Sequence, residues 1–521
     1  MGLPGSILAF GFGQMWIGIG LALGTAANWI LCAKRLRTFS KAADDAITVP
    51  QYLTNRFGVD SRTLQLVCAL IFLFAYTIYV ASALVAGTSV FNTLFPEISP
   101  KVAMLVFLLI IVAYTFFGGF TAVCWTDFFQ GMLMMLALML VPIVVYFGHR
   151  ELLDPTALTT VYEYTDAASG AVVSCDFGGG IFSASWQDIV SGLGWGLGYF
   201  GMPQVLVRFM GIRNDSEIKT SRRIAIVWVV VSMFCAIMIG IIGRYLFPAQ
   251  YLTQSGAESI FIFLSQVMLP GFLCGLVVSG ILAASMSSAS SYLLITGSSV
   301  AENIFRGVFK KDATDNQVLI VSRITLACVL LFGIAVAWSE DSIIFNVVSY
   351  AWAGLGASFG PLTLFSLYWK RTTKSGAIAG MLTGAVSVIV WHNLIKPLGG
   401  VFGIYELLPA FILSCLAILI VSLLSKEPSE AIQYEFDHYM DEELVDRHLD
   451  AVLEGGIPLK GVNMPVDTPI HPNEAEAVDE KEPVTFKESV VADAHGETLT
   501  RSAEAEGKKV EETITIEEKP E

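Results

Sequence analysis

Charge is scarce in this chain. Only 15% of its 521 residues are charged, against 54% apolar, and the mean hydropathy is +0.65. So little charge excludes an ordinary soluble domain, in which about a quarter of residues are charged. The formal net charge of −15 misleads until it is divided along the chain. Residues 426–521 hold 26 Asp/Glu and 9 Lys/Arg, whereas residues 1–425 hold 20 and 22. The acidity belongs to the tail, and no basic cluster suggests nucleic acid.

Reactive and metal-binding patterns are equally sparse. The eight cysteines never form a CxxC pair, and seven lie in or beside apolar runs, where Cys acts as a small hydrophobe. They imply neither a disulfide framework nor a zinc site. The six histidines are scattered, so no metal centre, no cofactor and no enzymatic activity are expected.

Long apolar runs are abundant. A membrane span needs about 20 mainly apolar residues. Charge-poor runs lie near 14–33, 64–91, 102–125, 128–148, 189–207, 224–243, 271–301, 318–338, 342–369, 375–395 and 407–425. They predict an all-α integral membrane protein with about 11 full transmembrane helices. The uncharged run from Ser259 to Ala301 is too long for one crossing, so Pro270-Gly271 is expected to divide it into a short surface helix and a true span.

Alternate loops carry Lys34, Arg35, Arg37, Lys41, Arg56 and Arg62, then Arg208 to Arg223, Arg306 to Arg323, and Lys370 to Lys374. The opposite loops hold Glu97, then Glu151, Asp154, Glu163, Asp166 and Asp176, then Glu340 and Asp341. The positive-inside rule makes the basic set, and with it the tail, cytoplasmic. The expected location is the cell (inner or plasma) membrane.

Ahead of the first full span, MGLPGSILAFG makes about half a crossing. A charged amino terminus at the midplane would cost at least ~3 kcal/mol. The expectation is a natural start further upstream or a truncated gene, with a re-entrant start as the alternative. Beyond the membrane domain (1–425), the acidic tail (426–521) is expected to form at most a surface helix over 430–454 and then to be largely disordered.

The stretch GLGWGLGYFGMP, residues 192–203, sets five glycines and a proline inside an apolar run. Glycine costs about 1 kcal/mol in a helix interior and proline about 3. Gly196-x-Gly198-x-x-Gly201 formally matches a dinucleotide fingerprint, but no βαβ unit surrounds it. Close helix packing is the simpler account. However, glycines at every second position cover all faces of a helix rather than one seam. The favoured expectation is a helix broken at mid-membrane, with backbone groups offered to a ligand. Trp195, Tyr199 and Pro203, spaced i, i+4, i+8, lie near one face of that break.

A second polar island, SGILAASMSSASSYLLITGSS, places Ser287, Ser288, Ser290 and Ser291 in an uncharged span. Such hydroxyls often bond back to the i−4 carbonyl. They also suit a hard monovalent cation, and with no carboxylate in the island sodium fits better than calcium.

The segments MGLPG, TIYVASALVAG, YTFFGGFTAVCWTD, GWGLGYFGMPQVLVRFM, ILAASMSS and VSYAWAGLGASFGP, in this order, resemble the sodium:solute symporter family. The similarity runs from residue 1 to about 430. It implies a LeuT-like inverted-repeat bundle working by alternating access, preceded here by an N-terminal half-helix in place of the family's first helix and half of its second. Among proline-carrying members the resemblance points to Trp195, Tyr199 and Pro203 of the broken helix and to Tyr79 as substrate-binding. It assigns a sodium site to the Ala284 carbonyl and the Ser287 and Ser288 hydroxyls; the second hydroxyl is commonly Thr. The missing half-helix normally supplies the other sodium carbonyls.

The implied function is sodium-coupled uptake of L-proline, with the bilayer, L-proline and Na+ as partners and no obligatory protein partner evident. Another small solute, an inactive truncated product, a transporter-like sensor or a channel are the alternatives. A sensor would need a signalling module that the short tail lacks, and a channel would need a pore loop.

Overall fold

The computed structural model describes residues 2–43, 45–57, 62–95, 97–153, 156–165, 172–178, 180–182, 184–247, 253–338, 344–439, 485–493, 496–505 and 508–516. Asp154, Asp166, Glu340 and Asp341 of the expected acidic loops lie outside them, as does the tail between 440 and 484. Residues 1–465 form one compact unit and 466–521 another.

The first unit is helical. It opens with α1 (Gly2–Phe10), α2 (Met15–Leu31), α3 (Ala33–Ala42), α4 (Val49–Arg56), α5 (Arg62–Leu94) and α6 (Pro100–Gly148). A short α7 (Thr156–Thr159) and a hairpin of β1 (Tyr162–Thr165) with β2 (Val172–Cys175) follow, then α8 (Trp186–Gly194), α9 (Pro203–Met210) and α10 (Asp215–Leu246). Next come α11 (Gln254–Ala257), α12 (Ile260–Met268), α13 (Gly271–Ser298), α14 (Asp315–Ala337), α15 (Ile344–Tyr368), α16 (Lys374–Val390), α17 (Leu407–Leu424) and α18 (Glu430–His438).

Among the described residues, seven helices are long and apolar enough to cross a membrane, or eight if α2 and α3, bent by 43°, form one span. The remaining expected spans take other forms. Residues 189–207 are broken, and 342–369 appear as α15. The predicted pair 102–125 and 128–148 runs as the single 49-residue helix α6. No proline stands between residues 101 and 141 to stop it. As expected, Pro270 divides α12 from α13, its extended backbone serving as the N-cap of the longer helix.

Exposed apolar side chains such as Phe74, Leu109, Phe147, Phe234, Leu331 and Phe332 ring the bundle. Only a hydrocarbon solvent makes that arrangement stable at such a density. This is a multi-pass membrane protein. Inside the bundle, α13 packs on α5 and α6, while α15 packs on α5, α16, α17 and the segment joining α8 to α9.

At one end, α18 folds back onto the bundle. Its buried Ile432, Glu435 and the following Tyr439 meet Phe39, Tyr52 and Arg56 of α3 and α4. Thus α18 realises the first part of the surface helix expected over 430–454. In the second unit, three antiparallel strands, β3 (Thr485–Asp493), β4 (Gly496–Ala505) and β5 (Lys508–Ile516), pair in sequence order. They lie where composition alone led to an expectation of disorder; Thr, Val and Ile favour extended backbone there despite the charge.

Candidate functional site

The chain between α8 and α9 departs from regular helix. Ser185 caps α8 by accepting from the Asp188 N–H at 3.1 Å. After Gly194 the backbone tightens into a 3₁₀ segment, Trp195–Gly201, and Met202 is extended at φ −85°, ψ 105°. Pro203 then starts α9. Proline cannot donate to the preceding turn, and it pushes the residue before it out of helical geometry, so Met202–Pro203 is where the break must fall.

Two carbonyls at this break are taken by neighbouring side chains. Asn28 Nδ2 of α2 donates to the Tyr199 carbonyl at 3.0 Å. Trp352 Nε1 of α15 donates to the Trp195 carbonyl at 2.9 Å. The expectation that the break offers its free backbone to a ligand is therefore corrected for these two groups.

The glycines also have a packing role that the sequence pattern obscured. A Cβ at Gly192 would lie 2.5 Å from the Trp16 Cβ, and one at Gly196 would strike the Gly20 carbonyl of α2. On the other side, a Cβ at Gly198 would strike Trp352 Nε1, and one at Gly201 would lie 2.6 Å from the Gly360 N of α15. Glycines cover more than one face because two helices approach the segment from different sides. Gly194 is the exception, with Leu408 Cβ at an ordinary 3.6 Å.

The aromatics of the break are held rather than loose. Trp195 lies almost flat on Tyr405, with ring centroids 4.8 Å apart at 12°, and Phe345 is 5.3 Å away. Tyr199 meets Trp352 edge-on at 5.1 Å. Pro203 is buried, and the next residue, Gln204, accepts from the Tyr76 hydroxyl at 2.7 Å.

A cavity of about 390 Å³ is walled by Tyr79, Ser82, Glu258, Ala284, Ser288 and Tyr292 among others, and Trp195, Tyr199 and Pro203 are not among its lining residues. Its size is in the range of small-molecule sites. Tyr79 is 2% exposed and its hydroxyl has no hydrogen-bond partner among the described residues. A buried unpartnered hydroxyl costs about 1–3 kcal/mol, which a polar ligand would recover.

Helix α13 divides its hydroxyls between two faces. Ala284, Ser288 and Tyr292, four residues apart, face the cavity. Ser287 and Ser291 turn to α6, where their hydroxyls donate to Asp127 at 2.6 and 3.1 Å. Arg208 of α9 completes the group, its Nη2 2.7 Å from the same carboxylate. The island that lacks a carboxylate in sequence thus acquires one from another helix.

The structure therefore brings Tyr79, Ala284 and Ser288 to one cavity. It seats Trp195, Tyr199 and Pro203 in the broken segment and turns Ser287 towards Asp127. Sequence reasoning missed Asp127, Tyr292 and Asn28. Asp127 did carry a signal, being a lone carboxylate between two apolar runs. Tyr292 follows Ser288 by one turn in the polar island, whereas Asn28 had no signal, since its bond to the Tyr199 carbonyl exists only across helices.

A family model for the sodium:solute symporter family matches residues 1–384. The chain belongs to the sodium:solute symporter family. It is similar to the high-affinity proline transporter PutP of Bacillus subtilis (strain 168), 40% identical over 441 residues, covering 85% of this chain and 90% of that protein. It is also similar to a sodium/proline symporter of Staphylococcus aureus, 37% identical over 447 residues and 85% of each chain. Among solved structures, a Na+-coupled sialic acid symporter in a substrate-bound outward-open state aligns with a TM-score of 0.63 at 18% identity, covering 82% of this chain and 86% of that one. The fold of this symporter is the LeuT-like inverted-repeat bundle, and its relatives are transporters. Among the described residues no three His, Cys, Asp or Glu side chains cluster as a metal-binding group.

Proposed function

We propose that this family member carries out sodium-coupled uptake of L-proline by alternating access. The observation that carries the reading is a cavity of small-molecule size lined by Tyr79, Ser82, Ser288 and Tyr292, with the buried Tyr79 hydroxyl unpartnered among the described residues. Proline presents a compact apolar ring and a zwitterionic head. Aromatic walls suit the first, and hydroxyls suit the second. We assign Trp195, Tyr199 and Pro203 to the substrate together with Tyr79; the three sit in the broken segment and do not line the cavity, so the assignment requires that segment to move. Proline carriers among its relatives support the choice of substrate.

Sodium, as co-substrate, would be held by the Ala284 carbonyl with the Ser287 and Ser288 hydroxyls. Asp127, which accepts from Ser287 and is paired with Arg208, adds a carboxylate beside a set of hydroxyls. The driving force is sufficient without ATP. A potential of about 100 mV contributes about 2.3 kcal/mol per charge. A tenfold sodium gradient adds about 1.4, so accumulation of several hundred-fold is within reach. We place the basic loops and the acidic tail on the cytoplasmic side by the positive-inside rule.

The test is uptake of labelled proline by liposomes containing the full chain, driven by an inward sodium gradient. The expected result is concentrative uptake that collapses when potassium replaces sodium and is not competed by pantothenate or acetate. Equal uptake in potassium would defeat the coupling, and competition by those acids would defeat the choice of substrate.

A further inference from the structure

Trp195 rests in an aromatic seat outside the cavity. Its ring lies nearly parallel to Tyr405, at 4.8 Å and 12°, with Phe345 at 5.3 Å and Trp352 at 6.3 Å. Neither Trp195 nor Tyr405 lines the cavity that Tyr79 and Ser288 border. Among the described residues the indole N–H makes no hydrogen bond, so the side chain is held by ring contacts alone. Such a ring can leave its seat without stranding a polar group, and it carries a free donor for a carboxylate.

Tyr405 is fixed far more firmly than the ring it carries. Its hydroxyl donates to the Ser349 carbonyl of α15 at 2.6 Å, and its N–H donates to Ser191 Oγ of α8 at 2.9 Å. The next residue, Glu406, is fully buried at the N-cap of α17. Its carboxylate accepts from Lys396 Nζ at 2.9 Å and lies 3.0 Å from His392 Nδ1, both in the segment that follows α16. A carboxylate this buried keeps its cation, because leaving it unpaired is costly. The seat is therefore anchored by α15 and by the segment joining α16 to α17, whereas the indole belongs to the broken helix.

We infer that Tyr405 is a positioning residue for Trp195: it seats the indole away from the cavity, and proline draws the ring out of the stack as it binds. This rests on the assignment of Trp195 to the substrate above. A contact made only in the ligand-free arrangement opposes binding, because the observed affinity is the intrinsic affinity reduced by the fraction of protein that is competent. Loosening the seat should tighten proline binding, the opposite of what losing a supporting contact would do.

The experiment is equilibrium binding of labelled proline, at saturating sodium, to the full chain in nanodiscs, with Tyr405→Leu, Tyr405→Phe and Trp195→Leu beside the wild type. Tyr405→Leu removes the stack and is expected to lower the proline Kd about fivefold, the scale of one aromatic pair. Tyr405→Phe keeps the ring and loses only the bond to the Ser349 carbonyl; it is expected to lower the Kd about twofold, and it carries the test if Tyr405→Leu does not fold. Thermal melts report folding. The seat predicts a lower melting temperature together with a lower Kd, whereas a purely structural Tyr405 lowers the melting temperature and leaves the Kd equal or higher. An equal or higher Kd in the variant that folds would overturn the inference and leave the function intact. Wild-type affinity in Trp195→Leu would overturn it by removing Trp195 from the substrate. Absence of sodium-dependent proline binding by the wild-type chain would bring down the functional reading and this inference with it.

Discussion

The Ser287 hydroxyl donates to Asp127 across a 2.6 Å hydrogen bond, although 160 residues separate the two in the chain. One serine face of α13 therefore meets a carboxylate while the adjacent face opens on the cavity. Asp127 is shielded to 9% side-chain exposure, and its other oxygen is shared by Ser291 and Arg208. Two elements that the sequence shows as separate, a serine island and a lone acid, form one electrostatic unit.

If that carboxylate balances the ion, Asp127→Ala should raise the half-saturating sodium concentration at least tenfold, about 1.4 kcal/mol. The change leaves the Arg208 cation beside Ser291 without its counter-charge. A sodium-activation curve of proline uptake measures this directly. Superimposable curves for variant and wild type would remove Asp127 from the ion's surroundings.

Tyr79→Phe isolates the unpartnered hydroxyl. Because the hydroxyl makes no hydrogen bond in the described structure, its loss should leave thermal stability equal or higher. The proline KM should rise roughly five- to tenfold, the equivalent of about 1–1.4 kcal/mol for one lost hydrogen bond to a zwitterion. A fall in melting temperature with unchanged KM would show that the hydroxyl serves the core instead.

Gly198→Ala and Gly194→Ala make a paired test of the packing at the break. The first sets a methyl group against Trp352 Nε1, which donates to the Trp195 carbonyl; the second meets Leu408 at an ordinary distance. Gly198→Ala should abolish uptake or prevent stable expression, since overpacking costs about 1–3 kcal/mol and more where backbone must shift. Gly194→Ala should be tolerated. Equal behaviour of the two in an uptake assay would refute the close approach of α15.

The docked helix α18 makes a prediction about stability. Tyr439 is 4% exposed, with its ring 4.2 Å from Phe39 and its hydroxyl accepting from Arg35 Nη1 at 2.9 Å. Beside it, burial pushes the Arg56 guanidinium below its usual range, an effect that Tyr52 and Glu435 partly offset. Tyr439→Ala should cost about 3 kcal/mol, as for other large aromatic truncations in a core. A thermal melt of the purified protein would register it; an unchanged melting temperature would mean that α18 does not dock.

Much was legible in the sequence, for identifiable reasons. Apolar run length reports spans because a bilayer has a fixed thickness. Pro270 and Pro203 announce a boundary and a break because proline acts on its own neighbours. The α6 region was less legible: Thr126 and Asp127 separate two apolar runs, yet neither residue forbids a helix.

What the chain by itself determined is its solvent and its punctuation: apolar helices for a membrane, prolines and glycines where helix must yield, and hydroxyls in an uncharged span. These are local properties, set by side-chain transfer energy and backbone dihedrals within a few residues. Only the tertiary structure decided which helices supply the partners: Asp127 to Ser287, Asn28 to the Tyr199 carbonyl, and α2 and α15 to the glycines. Hydrogen bonds and close contacts act over about 3 Å in space and carry no trace of distance along the chain. Their pairing is settled when the helices pack.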